Sequence, residues 1–208
     1  MIVIGLTGSV GMGKTEVGKY FKKKKIRVFD CDEEVRKIYQ EHKVINQIAD
    51  KFPSVFLGGN INKIELTKIV FDNPKKLRKL EKILHHRLRE VQSKWIRSRV
   101  REKDNIIVFD VPLLFESNNI KKYDIIIVVS CSNEIQEKRV LRRKSWTKER
   151  LEKTIKTQMS SEKKKKMANL IIKTDRGKRY LWEEITKILK FSNMISVRPN
   201  NLILREFK

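Results

Sequence analysis

Four groups of residues in this chain are suited to phosphate chemistry. The stretch Gly8-Ser9-Val10-Gly11-Met12-Gly13-Lys14-Thr15 fits the pattern G-x-x-x-x-G-K-[ST]. Glycines at these positions let the backbone turn sharply and bring its N–H groups against an anion, and a helix starting there adds unsatisfied N–H groups and a dipole. In that arrangement Lys14 reaches the β- and γ-phosphates of a nucleotide and the Thr15 hydroxyl ligates Mg²⁺. Four fixed positions recur by accident in roughly 1 chain in 100 of this length. Together with the apolar run before it and the amphipathic Val17, Tyr20 and Phe21 after it, that sets aside a mere glycine-rich turn. The second group is Asp30 and Asp32, the third is Asp110, and the fourth is Arg139 with Arg143. A carboxylate at a strand end accepts a hydroxyl proton or joins a Mg²⁺ shell, directly or through water. One of Asp30 and Asp32 is assigned to capping the following helix, a position Asp favours, which leaves Asp32 for chemistry. For Asp110 a strand-terminating turn and a metal role both stay open. Arg139 and Arg143, four residues apart, would share a helical face and converge on a phosphate chain, or else form a solvated basic surface.

The elements that must position these groups follow from periodicity and punctuation. Ile2–Thr7 reads as a buried strand, and a helix is expected from Lys14 to the Lys22–Lys25 block. Ile26–Phe29 is a second strand ending at Asp30-Cys31-Asp32. Apolar residues at helical spacing from Val35 to Phe52 predict one helix over 33–52, closed by Pro53, and 54–62 with Gly58-Gly59 reads as a loop. A short helix over 64–71 follows. Asn73-Pro74 is a helix start, and the face from Leu77 to Ile96 carries that helix to about Arg101. The runs 106–109 and 125–129 are buried strands, and a helix is expected over 134–144. Thr147 caps the next helix, on which Leu151, Ile155 and Met159 share a face. Strand 170–172 and a closing helix through Leu181, Ile185, Ile188 and Leu189 complete the pattern. Strands alternating with helices, with continuously apolar strands, predict an α/β protein whose parallel sheet is covered on both faces. The tail after Phe191 has no assigned role.

Composition bounds the rest. The chain has 208 residues, 39% of them hydrophobic and 36% charged, enough for one sizeable core with an inserted subdomain. No apolar run approaches a membrane span and no leader segment is read at the start, so a cytoplasmic location without membrane contact is expected. Cys31 and Cys131 lack metal spacing and read as small buried thiols. His42, His85 and His86 have no third ligand at metal spacing, and His42, following an apolar face, reads as a half-buried packing residue. The net charge of +24 raises the possibility of nucleic-acid binding. The excess is spread along the whole chain and is mostly lysine, so a solvated basic surface accounts for it more simply, while still attracting anionic substrates.

Beyond the phosphate loop, several stretches together resemble a known family. These are Leu6-Thr7-Gly8-x-x-Gly-x-Gly-Lys-Thr, Val28-Phe29-Asp30-Cys31-Asp32-x-x-x-Arg36, Leu80-Glu81-x-Ile83-x-His85, Asp110-Val111-Pro112-Leu113-Leu114-Phe115-Glu116, Arg139-x-x-x-Arg143 and Gln158. They are similar to the dephospho-CoA kinases over nearly the whole chain, from Ile4 to about Leu189. The resemblance implies a three-layer α/β/α P-loop kinase fold that transfers the ATP γ-phosphate to the ribose 3′-hydroxyl of dephospho-CoA, the last step of CoA synthesis. It implies a core of residues 1–32, 104–138 and 168–190, a helical dephospho-CoA-binding insertion over 33–103 and a lid over 139–167, followed by a tail from 191 to 208. Asp32 would be the base, with Lys14 and Arg139 as the other catalytic groups. Gly8, Gly11, Met12, Gly13, Lys14, Thr15, Glu16, Arg139 and Arg143 would bind ATP, and Thr15 and Asp110 would hold Mg²⁺. His86, Lys25, Asn169 and Thr174 depart from the family's usual Pro, Gly, Asp and Asn, the last two beside the expected adenine. A nucleoside or nucleotide kinase of the same fold is the alternative, and a basic nucleic-acid-binding protein gripping backbone phosphate is a third reading. Oligomeric state is left open.

Overall fold

The computed structural model describes residues 1–71, 73–117 and 120–192; of the tail expected over 191–208, Phe191 and Ser192 belong to the closing helix and residues 193–208 lie outside the described residues. In chain order the elements are β1 (Ile2–Thr7), α1 (Lys14–Lys23), β2 (Arg27–Asp30), α2 (Cys31–Ile38), α3 (His42–Lys51), β3 (Phe56–Leu57), β4 (Asn60–Ile61), α4 (Lys63–Phe71), α5 (Pro74–Arg101), β5 (Ile106–Asp110), β6 (Ile125–Ser130), α6 (Asn133–Leu141), α7 (Lys148–Thr157), α8 (Ser161–Met167), β7 (Leu170–Lys173) and α9 (Gly177–Ser192). The described residues divide into two compact units, 32–98 and the remainder.

The larger unit is built on a five-stranded sheet in the order β2-β5-β1-β6-β7, with every pairing parallel. β1, β5 and β6 are buried along their whole length, as a parallel sheet covered on both faces requires. The period of two divides their side chains between two apolar layers. Ile2, Ile4, Leu6, Ile106, Val108, Ile125, Ile127 and Val129 face α1 and α9 in one layer. Ile126 and Val128 join Leu114, Phe115, Met159 and Ala168 in the other, the side on which α8 lies. Gly5 permits that second layer its close approach: a Cβ there would sit 2.6 Å from Leu114 Cδ1 and 2.9 Å from the Tyr123 ring. Since parallel strands all end on one side, the segments after β1, β2, β5 and β6 emerge together, with β1 in the middle.

The smaller unit has its own core of Ile38, Val44, Ile48, Phe52, Val55, Leu66, Val70, Leu80 and Leu84. Its helix starts follow the sequence signals: Asn62 Oδ1 accepts from the N–H groups of Ile64 and Glu65, and Asn73 Oδ1 from those of Lys75 and Lys76.

Several local expectations need correction. The helix expected over 33–52 is two, because Gln40 and Glu41 close α2 with i→i−3 bonds and Glu41 turns extended (φ −74°, ψ 125°) to start α3. The Glu41 carboxylate is held there by Arg87 Nε at 2.5 Å. His42 consequently opens α3 and is exposed rather than half-buried. The 54–62 loop contains a tight hairpin, β3–β4, turned by Gly58 and Gly59 at φ 54° and 82°, the left-handed pair that such turns require. α6 stops at Leu141, not Lys144, and Ser145 takes φ 70° in the turn that follows. α7 ends at Thr157, so Met159 does not share its face with Leu151 but packs in the second layer, and α8 was not foreseen.

Candidate active site

The segment between β1 and α1 is folded so that several of its carbonyls are tied back while four amides at and after it are left without acceptors. Ser9 O accepts from Met12 N, and Gly13 O accepts from both Glu16 N and Val17 N as α1 begins. Val10 O accepts from Gln136 Nε2 at 2.7 Å, and Met12 O from the Thr174 hydroxyl at 2.7 Å. Among the described residues no acceptor serves the backbone N–H of Gly11, Gly13, Lys14 or Thr15. Donors turned one way and carbonyls tied back the other make an anion cradle, which the positive end of α1 reinforces. Gly11 and Gly13 make this possible at φ 79° and 91°, conformations L side chains avoid. A Cβ on Gly11 would lie 2.5 Å from Val140 Cγ2, and one on Gly13 would lie 2.9 Å from Thr174 Oγ1. Beneath the loop, Cys131 N–H points to Met12 Sδ at 3.3 Å, and burial pushes the Cys131 thiol up against the pull of Arg139.

Lys14 opens α1 and pairs with Asp110, the last residue of β5. Both side chains are shielded, at 14% and 5% exposure. Register places Asp30 directly opposite Asp110 at the ends of β2 and β5, so two carboxylates sit side by side next to the loop's lysine. Thr15, in the first turn of α1, is exposed. The Thr15 hydroxyl and the Asp110 carboxylate are hard oxygen donors at this end of the sheet. Among the described residues no cluster of three or more potential metal ligands from His, Cys, Asp and Glu forms. Hard oxygen donors of this kind are the type Mg²⁺ takes, one or two carboxylates beside waters and substrate phosphates.

Arg139, on the last turn of α6, lies over the cradle. Its Nη1 donates to Thr174 Oγ1 at 2.7 Å and its Nη2 to Thr174 O at 2.9 Å. Nη1 would be 3.1 Å from a Cβ on Gly13. Both partners are neutral oxygens, so the guanidinium charge is not cancelled by a carboxylate among the described residues. Arg143 does not join it: the helix has ended, the i, i+4 geometry does not apply, and Arg143 is exposed in the turn. Glu16 turns its carboxylate to Lys19 at 3.6 Å and spends its N–H on Gly13 O, while Met12 is buried. Asp32 is exposed in the first turn of α2.

Asn169 and Thr174, the two departures expected beside an adenine, each bond to the protein. Asn169 pairs with β6, accepting from Ile126 N at 2.7 Å and donating its own N–H to Ile126 O. Thr174 holds the loop and Arg139. The lid segment expected over 139–167 contains α7 and α8. Thr147 Oγ1 accepts from Arg150 N to cap α7, as its sequence position suggested. At the foot of this segment Lys164, 1% exposed, forms an ion pair with Glu116 Oε1 at 3.0 Å. Met159 N–H also donates to Glu116 at 2.9 Å. Sequence reasoning missed Gln136 and Thr174 as supports of the loop. Gln136 offered one cue, a polar residue one helical turn before Arg139 on the buried side of α6.

The family model CoaE, dephospho-CoA kinase, matches residues 2–179. A dephospho-CoA kinase of Bartonella henselae is 35% identical over 190 residues, covering 91% of this chain and 97% of that protein. Among solved structures, TT1252 from Thermus thermophilus superposes with a TM-score of 0.82 at 24% identity, covering 94% of this chain and 98% of that one. Dephospho-CoA kinase from Campylobacter jejuni superposes at 0.66 and 22%, covering 92% and 97%. These two likenesses speak for the fold.

Proposed function

The chain belongs to the dephospho-CoA kinase family, and from that premise we propose that the cradle at Gly8–Thr15 holds the ATP phosphates while Asp32 takes the proton of the ribose 3′-hydroxyl of dephospho-CoA. The observation that carries the phosphate half is the loop's polarity: four amides without acceptors stand over carbonyls that are tied back. The identity of the acceptor rests on family membership.

In this reading Lys14 moves from Asp110 to the β- and γ-phosphates, where its charge offsets the negative charge that builds up as the γ-phosphoryl group leaves. Thr15 and Asp110 would hold Mg²⁺, which when bound neutralises charge on the phosphate oxygens. Arg139 adds a guanidinium seated on Thr174 beside Gly13. Asp32 follows the last residue of β2 by two positions and is exposed in the first turn of α2, so its carboxylate is open to an incoming hydroxyl. The 32–98 unit serves as the dephospho-CoA platform. The 139–167 segment closes over the nucleotide, excluding water that would otherwise accept the phosphoryl group. We assign the enzyme to the cytoplasm; no described helix is long and apolar enough to cross a membrane.

ADP release from the purified chain with ATP and Mg²⁺ tests the acceptor, with dephospho-CoA run beside a panel of nucleosides. Turnover with dephospho-CoA is expected, and turnover only with a nucleoside would overturn the assignment. In the same assay Asp32→Asn should bind ATP normally yet transfer at least about 100-fold more slowly. Undiminished transfer would make Asp32 structural.

A further inference from the structure

The residue after β7 has a connection that neither the phosphate pattern nor the family's reaction explains. Thr174 is 7% exposed, and its hydroxyl is committed in both directions. It donates to Met12 O of the phosphate loop at 2.7 Å and accepts from Arg139 Nη1 at 2.7 Å. A hydroxyl has one proton, so the direction of this chain is set. Arg139 can only donate, and Met12 O can only accept. The Thr174 carbonyl takes the second arm of the guanidinium at 2.9 Å, giving Arg139 a two-point seat on one residue. Thr174 N–H in turn donates to Ser130 O at 2.8 Å, so the seat is anchored to the end of β6. Next to it, Asp175 Oδ2 accepts from Ser132 N at 2.9 Å, tying the same turn to the start of α6, the helix that carries Arg139.

We propose that Thr174 is a positioning residue that sets Arg139 and the phosphate loop in register with each other. Its hydroxyl pulls the Met12 carbonyl away from the anion, which aims the following amides at it. The same oxygen holds the guanidinium beside Gly13, so loop and arginine address one phosphate group together. Gly13 is part of the device: Thr174 Oγ1 and Arg139 Nη1 would lie 2.9 and 3.1 Å from a Cβ at that position, so only glycine lets them approach. The inference rests on the proposed role of Arg139 at the ATP phosphates.

Thr174→Val keeps the shape and removes the hydroxyl, while Thr174→Ser keeps the hydroxyl and restores the device. In the intact chain, kcat/KM for ATP should fall about 10- to 30-fold in the Val variant and stay within about threefold in the Ser variant, per mole of folded enzyme. A purely structural Thr174 would instead lower the folded fraction and leave kcat and KM of the folded molecules unchanged, which would overturn the proposal. The decisive measurement is the cycle with Arg139→Ala. The Val substitution should cost only about threefold once Arg139 is absent, the remainder due to Met12. A cost equal in both backgrounds would also overturn the proposal. If Arg139→Ala by itself changes nothing, the reading of Arg139 falls and this inference with it. Binding of Mg²⁺·ATP, measured calorimetrically across the same four proteins, reads the cycle without any acceptor and so separates it from the dephospho-CoA assignment.

Discussion

Replacing Lys14 should have two consequences that can be pulled apart. Lys14→Met keeps most of the methylene stem and deletes the charge, leaving Asp110 in place at 3% exposure without its ammonium partner. Removing one member of a shielded ion pair costs about 3–5 kcal/mol, because the remaining charge stays desolvated. In a chain of this size each kcal/mol moves the melting temperature by about 2–4 °C, so a fall on the order of 10 °C is expected. Asp110→Asn alone should also destabilise, since it leaves the ammonium facing a neutral amide. The double variant removes both charges and should be less destabilised than the sum of the singles, with a coupling energy of about 2–3 kcal/mol. Urea unfolding at constant m-value measures all four proteins. Turnover should not follow stability. Both variants lacking Lys14 should lose kcat by orders of magnitude, because the charge that meets the γ-phosphate is gone whether or not the fold has recovered. Single-variant costs that add within about 0.5 kcal/mol would refute the coupling of Lys14 with Asp110. Recovery of turnover in the double variant would show that Lys14 serves the fold and not the transfer.

Two more expectations concern the loop and the foot of the lid segment. Gly11→Ala forces an L residue to φ 79° and places its Cβ against Val140, 3.1 Å from the Gln136 carbonyl; at least about 1–2 kcal/mol of unfolding free energy should be lost, together with ATP affinity, and a wild-type urea curve would contradict this. At Glu116, burial pushes the carboxyl up, but the Met159 N–H and Lys164 outweigh it and hold it below its ordinary value. A depressed carboxyl stabilises above its unfolded-state value, about pH 4.3, and that contribution fades as pH falls through the lower folded-state value. The melting-temperature gap between wild type and Glu116→Gln should therefore be wide at pH 7 and close below about pH 4, whereas a gap independent of pH would argue that the Glu116 charge contributes nothing.

What could be read along the chain is what neighbouring residues decide among themselves. The short apolar runs at 106–109 and 125–129, rich in β-branched residues, are buried parallel strands, as their length and composition favour a sheet covered on both faces. Asn73 and Thr147 cap the helices that follow because the cap is a bond spanning two or three residues. The cradle at Gly8–Thr15 was legible for the same reason, since glycine spacing and the start of α1 shape it locally. The Gly58-Gly59 hairpin is locally encoded too, by two adjacent glycines that can both take positive φ. Where helices end was harder: Arg143 kept its apolar-to-basic rhythm with Arg139 although α6 had already stopped at Leu141. Tertiary structure alone decided which side chains back the cradle. Gln136 and Thr174 lie 126 and 162 residues from the carbonyls they serve. The strand order β2-β5-β1-β6-β7 brings β7 within reach of the loop, and it also sets Asp110 beside both Asp30 and Lys14. Spacing along a chain records bonds closed within a turn or two. Partners brought together by the packing of distant strands leave no such record, and here they orient the amides that the glycine pattern only makes available.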